Sequence, residues 1–100
     1  MFMEISFETI SEKAQFFFAH QPVKRAFLFG SYSQNTQTES SDIDILIELE
    51  KEVGLFRFAE MKLDLENLFH KKIDLISENG LSPYLRPYIN QQKILIYEKR

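Results

Sequence analysis

Ile10, Ala14, Phe17 and Phe18 recur at i, i+4, i+7 and i+8. That is the apolar stripe of an amphipathic helix, predicted over roughly residues 7 to 20. Thr9 and Glu12 supply a capping box near its start, and Pro22 stops it. VKRAFLF (23–29) has strand composition and ends at Gly30. From Ser33 to Ser41 there is no apolar side chain, so this segment reads as a solvated loop. In IDILIEL (43–49), Ile43, Ile45 and Ile47 alternate with Asp44, Leu46 and Glu48. Both faces are partly apolar, which predicts a strand covered on each side near its middle. Lys51 to Gly54 makes a turn. Leu55, Phe58, Met61, Leu65, Leu68 and Phe69 keep helical spacing, so a second helix of about four turns should end near His70, Lys71 and Lys72, whose charges suit its dipole.

KIDLIS (72–77) reads as a third strand and Asn79-Gly80 as a turn. Ser82 and Pro83 are placed to open a short third helix, as N-cap and first helical residue. KILIYE (93–98) closes the chain as a fourth strand, at an edge. The order α-β-β-α-β-α-β predicts an α/β (α+β) fold, a small mixed sheet of about four strands with helices packed against it.

Composition narrows the class. A chain of 100 residues has room for a single core, so residues 1–100 read as a single domain. With 44% apolar and 27% charged residues it fits the soluble globular class. Ten phenylalanines bury much area per residue and let so short a chain build a core. No apolar run approaches the ~20 residues that span a bilayer. The opening MFMEISFETISEK lacks the basic and apolar blocks of a secretory leader. Zero cysteines exclude disulfides and thiolate metal sites and suit a reducing cytoplasm. The net charge of −3 argues against direct nucleic-acid binding, which needs a basic face. The expectation is a cytoplasmic protein with no membrane association.

Candidate chemistry concentrates in GSYSQNTQTESSDID (30–44) and in Asp74. Asp42, Asp44 and Asp74 all fall in predicted strands. Positions two apart on a strand share a face and lie about 6.6 Å apart along it. Ile-Asp-Leu-Ile (73–76) repeats the pattern of Ile-Asp-Ile-Leu (43–46), so Asp74 joins the same cluster if the third strand pairs beside the second. Three carboxylates on one face repel and call for a cation. Hard oxygen ligands without His or Cys point to Mg²⁺ or Mn²⁺. A strand that ends in Gly30-Ser31 at the start of a turn offers backbone N–H groups to an anion. An anion cradle beside a carboxylate-held metal is equipment for phosphoryl or nucleotidyl transfer.

FLFGSYSQNTQTESSDIDILIEL resembles the signature of the minimal nucleotidyltransferases of the DNA polymerase β superfamily: Gly-Ser, a polar spacer, Asp-x-Asp, then a third Asp on a later strand. Gly30, Ser31, Asp42, Asp44 and Asp74 match it residue by residue. KKIDLI and the tail LSPYLRPYI…ILIY resemble the antitoxin-like partners of HEPN proteins, so the similarity covers nearly the whole chain. The resemblance implies a polymerase-β-like fold, a pair of Mg²⁺ ions and ATP as substrate. It further implies transfer of AMP to a hydroxyl of a HEPN partner, an RNase-like toxin, within a hetero-oligomer. Asp42 and Asp44 would bind the metals that carry the nucleotide. Asp74 would hold the catalytic metal and activate the acceptor, and Gly30 and Ser31 would cradle the outer phosphates. The family often writes Gly-Ser-x-Ala-x-Gly; here Ser33 stands for the Ala and Asn35 for the second Gly. Asn tolerates a left-handed backbone.

Other readings stay open at this stage. The altered glycine loop favours a catalytically idle binding module that neutralises its partner by occlusion. A small-molecule nucleotidyltransferase is a third reading, against which little chain is left over to enclose a small acceptor. Plainer expectations attach to the remaining polar residues. His20 and His70 lie at predicted helix C-termini, Lys71 and Lys72 solvate the second of these ends, and Glu48 and Glu50 are exposed strand-end charges. Tyr84, Arg86 and Tyr88 are candidates for contact with a nucleotide or partner. Phe16 and Phe56 face outward as marks of a partner surface.

Overall fold

The computed structural model describes residues 5–100, so the first four residues of the leader reading lie outside it. Helix α1 (Phe7–Phe18) leads into strand β1 (Val23–Phe29), and a one-turn 3-10 helix over Gly30–Tyr32 follows. After the polar loop come strand β2 (Ile43–Leu49), helix α2 (Leu55–Phe69) and strand β3 (Ile73–Ser77). A second 3-10 turn (Glu78–Gly80), helix α3 (Arg86–Gln92) and strand β4 (Ile94–Glu98) complete the fold. The expected order of elements is therefore observed.

The strands form one mixed sheet in the order β3-β2-β1-β4. β1 pairs antiparallel with β2 and with β4, whereas β2 and β3 run parallel. β4 is an edge strand, as its composition implied. A parallel pair needs a crossover, and α2 supplies it.

Each face of the sheet is covered differently. Ile43, Ile45 and Ile47 of β2 join Ala26, Leu28, Ile73 and Leu75 beneath α1 and α2, where Ile10, Ala14, Phe18, Met61, Leu65 and Phe69 are buried. On the other face Phe29 and Leu46 pack with Leu81 and Ile89, the latter from α3, and Phe27 and Ile76 flank them. The double-sided apolar pattern of β2 is thus used on both sides.

Three local expectations need correction. The helix α1 is capped by Ser6, whose hydroxyl accepts from the Thr9 backbone N–H at 3.1 Å. Thr9 is the recipient of a cap, not the cap. The helix also ends at Phe18, two residues early, in a turn before Pro22. Ser82 caps only a turn, through the Tyr84 N–H at 3.2 Å and carbonyl bonds from Leu85 and Arg86. The helix proper starts at Arg86, with Pro87 in its first turn, where a missing N–H costs nothing. At the end of α2, His70 adopts φ 54° and donates its N–H to Glu66 O at 2.8 Å, closing the helix with a left-handed residue.

Candidate active site

Side chains alternate across a strand, so Asp44 lies on the face of Leu46, opposite Ile43 and Ile45. The register pairs Asp44 with Asp74 across β2 and β3, and with Phe29 across β1 and β2. The parallel register therefore sets the Asp44 and Asp74 side chains side by side, on backbones about 4.8 Å apart. Asp42 is the residue just before β2 rather than within it, two positions from Asp44. α3 and the second 3-10 turn shelter the apolar half of this face around Leu46. Asp42 and Asp44 are half-buried and Asp74 is exposed. The acidic half of the face is open.

Gly30 adjoins this group. It takes φ +73°, and a Cβ placed on it would overlap Asp44 Oδ2 and stand 3.1 Å from Asp44 Cγ. Glycine is required here twice, by the left-handed backbone and by the carboxylate lying against it. The chain then turns through Ser31 and Tyr32, with Ser33 N–H donating to Gly30 O at 3.1 Å and the Ser33 hydroxyl to the same carbonyl at 2.7 Å. Ser33, standing where the family writes Ala, uses its extra hydroxyl to tie the turn. Asn35 adopts φ 59°, so the position of the family's second glycine keeps a left-handed backbone. The first N–H groups of such a turn have no partner within it.

Burial pushes the Asp44 carboxyl up to about 6, and the charges of Asp74 and Asp42 push the same way. Among the described residues no ion pair reaches any of the three aspartates: Arg25 bridges Glu48 and Glu98, Arg86 pairs with Glu78, and Lys99 with Glu50. Like charges gathered without a protein cation, all hard oxygen donors, fit a divalent ion. Among the described residues, no three His, Cys, Asp or Glu side chains already converge on one point. The donor chemistry fits Mg²⁺ or Mn²⁺; the side chains would still have to turn inward to close on it. A hollow of about 740 Å³ between Pro22, Glu50 and Arg57 lies at the opposite end of β1 and β2 and involves none of these groups.

Residues outside the cluster meet expectation in part. Glu48 is half-buried and paired with Arg25 at 2.6 Å, whereas Glu50 is exposed as expected and pairs with Lys99 at 2.5 Å. Arg86 is engaged by Glu78, while Tyr84 and Tyr88 are exposed. Phe16 and Phe56 are 72% and 91% exposed, as their helical positions implied. Lys71 does not simply solvate the end of α2. Its ammonium donates to Glu39 O at 3.0 Å and lies 6.0 Å from the Tyr32 ring centre. Sequence spacing offered no sign of that contact, because it joins segments more than thirty residues apart.

Residues 12–100 match the family model described as polymerase beta, nucleotidyltransferase. A Methanocaldococcus jannaschii protein assigned as a protein adenylyltransferase is 41% identical over 75 residues, covering 74% of this chain and 76% of its own. The protein adenylyltransferase MntA of Thermococcus cleftensis is 36% identical over 59 residues, 59% of this chain and 60% of its own. Among solved structures, one assigned as a minimal nucleotidyltransferase superposes with a TM-score of 0.78 at 31% identity, covering 93% of this chain and 98% of that one. A toxin–antitoxin structure with AMP-PNP superposes with a TM-score of 0.79 at 24% identity, over 90% of this chain and 74% of that one, and shows the shared fold. No described helix is long and apolar enough to cross a membrane. With a sheet-borne acidic cluster facing a glycine turn and a family match over nearly its whole length, the chain belongs to the polymerase β nucleotidyltransferase family, as one of its minimal, protein-adenylyltransferase-like members.

Proposed function

We propose that this chain transfers AMP from ATP to a hydroxyl of a protein partner, and that the partner is a HEPN-type toxin held in a hetero-oligomer. The observation that carries the reading is the placement of Gly30 directly against Asp44, with Asp74 in register beside it. A phosphate-binding turn and a carboxylate cluster share one open face of the sheet. Protein adenylyltransferases among the sequence relatives and an AMP-PNP-bound toxin–antitoxin structure among the fold neighbours support the substrate and the partner.

Asp42 and Asp44 would hold the ions that accompany the triphosphate, and Asp74 the ion on the acceptor side. Gly30 and Ser31 would present N–H groups and a hydroxyl to the outer phosphates. Mg²⁺, when bound, neutralises phosphate charge and lowers the pKa of the acceptor hydroxyl. That oxygen bonds to the α-phosphorus while the bond to the bridging oxygen breaks, and pyrophosphate leaves. The hydroxyl proton passes to the carboxylate side of the site, at Asp74. The exposure of Asp74 suits a macromolecular acceptor approaching that side of the site. Asn35, in its left-handed conformation, keeps the turn that the occlusion-only reading takes to be impaired.

The test is transfer of label from α-labelled ATP, with Mg²⁺, to the partner that co-purifies with the chain. Wild type should label it. Asp42→Asn, Asp44→Asn and Asp74→Asn should each abolish labelling while leaving the fold and the complex intact. An active Asp74→Asn chain would refute the assignment of that residue, and a silent wild type in an intact complex would favour occlusion.

A further inference from the structure

We infer that Lys71 is a positioning residue that clamps the polar loop leading to Asp42 against the turn that carries Ser31, a role that rests on the adenylyl-transfer reading of the site. The loop over 36–41 has no apolar side chain with which to anchor itself in a core. Its order comes from polar contacts. The shortest internal or local ones are Thr36 N–H donating to Ser31 O at 3.0 Å, Thr38 N–H to the Ser41 hydroxyl at 2.8 Å, and Ser41 N–H to Thr38 O at 3.0 Å. The long-range tie that accompanies them is Lys71, which reaches back from the entrance of β3.

The two contacts of Lys71 join the loop before Asp42 to the turn after Gly30. Glu39, whose carbonyl accepts from the ammonium, lies three residues before Asp42. Tyr32, whose ring faces the same ammonium, directly follows Ser31 and is buried in the core beneath α1 and α2. A cation over an aromatic face and a charged donor on a carbonyl are both favourable, and both are lost together if the ammonium is removed. The neighbouring backbone completes the clamp, since Ile43 N–H donates to Lys72 O at 3.0 Å. Lys71 thus holds the loop, and Lys72 holds the first residue of β2, on either side of Asp42.

Hydrogen exchange of the complex with its partner, without nucleotide, reads the clamp apart from catalysis. In Lys71→Ala and Lys71→Met the amides of Thr36, Thr38 and Ser41 should exchange about tenfold faster, with the strands unchanged. Lys71→Arg, which keeps the cation and its donors, should restore most of the protection. Unchanged exchange in the loop would overturn the inference. So would a rise spread over the sheet, or Lys71→Arg behaving like Lys71→Ala. In the transfer assay Lys71→Ala should raise KM for ATP by about tenfold while kcat stays within about threefold; an unchanged KM would likewise count against the clamp. If wild type transfers nothing, the adenylyl-transfer reading falls, and the exchange result still decides whether Lys71 orders the loop.

Discussion

Replacing Gly30 by alanine tests the geometry on which the site depends. The residue sits at φ +73°, a conformation that costs an L side chain roughly 1–2 kcal/mol. The new methyl would also overlap Asp44 Oδ2, so the carboxylate must rotate away from its preferred position, at about 0.5–1.5 kcal/mol. About 2 kcal/mol in all corresponds to a fall in Tm of roughly 8–16 °C for a domain of this size. Gly54 is the control: it has an ordinary φ of −69° and nothing within 4 Å of an added Cβ, so Gly54→Ala should stay within about 0.5 kcal/mol of wild type. Asp44→Ala separates the two costs of the Gly30 change. It removes the clashing oxygen and leaves Asp44 Cβ at an ordinary 3.4 Å, so Gly30→Ala on that background should retain only the backbone term. Urea and thermal unfolding followed by circular dichroism give the four corners of the cycle, with an expected coupling of about 0.5–1.5 kcal/mol. The reasoning is refuted if Gly30→Ala is no worse than Gly54→Ala, or if the cycle shows no coupling.

The Asp44 carboxyl predicts a pH dependence. In the unfolded chain it ionises near the ordinary value of about 4. In the fold it is held up to about 6 by burial and then by its acidic neighbours, so between these values the fold binds more protons. The stability of the metal-free chain should therefore fall as pH rises from about 4 to about 6 and level off above. Asp44→Asn should flatten that fall. Mg²⁺ should raise the Tm of wild type above pH 6 more than that of Asp44→Asn, and identical profiles for the two chains would contradict the reading. Within α1, fully buried Phe18 and exposed Phe16 make a contrasting pair. Phe18→Ala should cost about 3–5 kcal/mol in urea unfolding, or abolish the cooperative transition. Phe16→Ala should change it by less than about 0.5 kcal/mol.

Periodicity made most of this fold legible, because burial imposes it. The alternation of Ile43, Ile45 and Ile47 with Leu46 announced a strand covered on both sides, and the structure covers both. The helix ends were less legible. Ser6 outcompetes Thr9 as a cap because capping is decided by where the backbone turns out of the helix, which hydrophobic spacing reports only to within a few residues. The aspartates were visible as a motif, and the matching tetrapeptides 43–46 and 73–76 made Asp74 a member of the cluster on the condition that β3 lay beside β2, which the parallel register meets. What no local pattern could show was the charge pairing of Glu48 with Arg25 or the reach of Lys71 to Glu39. Both depend on long side chains meeting across segments distant in sequence, and many sequences with the same apolar pattern would pair them differently.

The pairing of Asp44 with Asp74 rests on the register of two parallel strands. A slip of β3 by one residue would carry Asp74 to the helix-covered face and put Ile73 or Leu75 on the open one. Such a chain would bury a carboxylate among phenylalanines and strand an apolar side chain in water, so it is disfavoured by its own packing before any reaction is attempted. Against a one-residue slip, quality control of the active centre is in this way written into the hydrophobic alternation: the chain that would lose the Asp44–Asp74 pairing by that slip is also the one that packs badly.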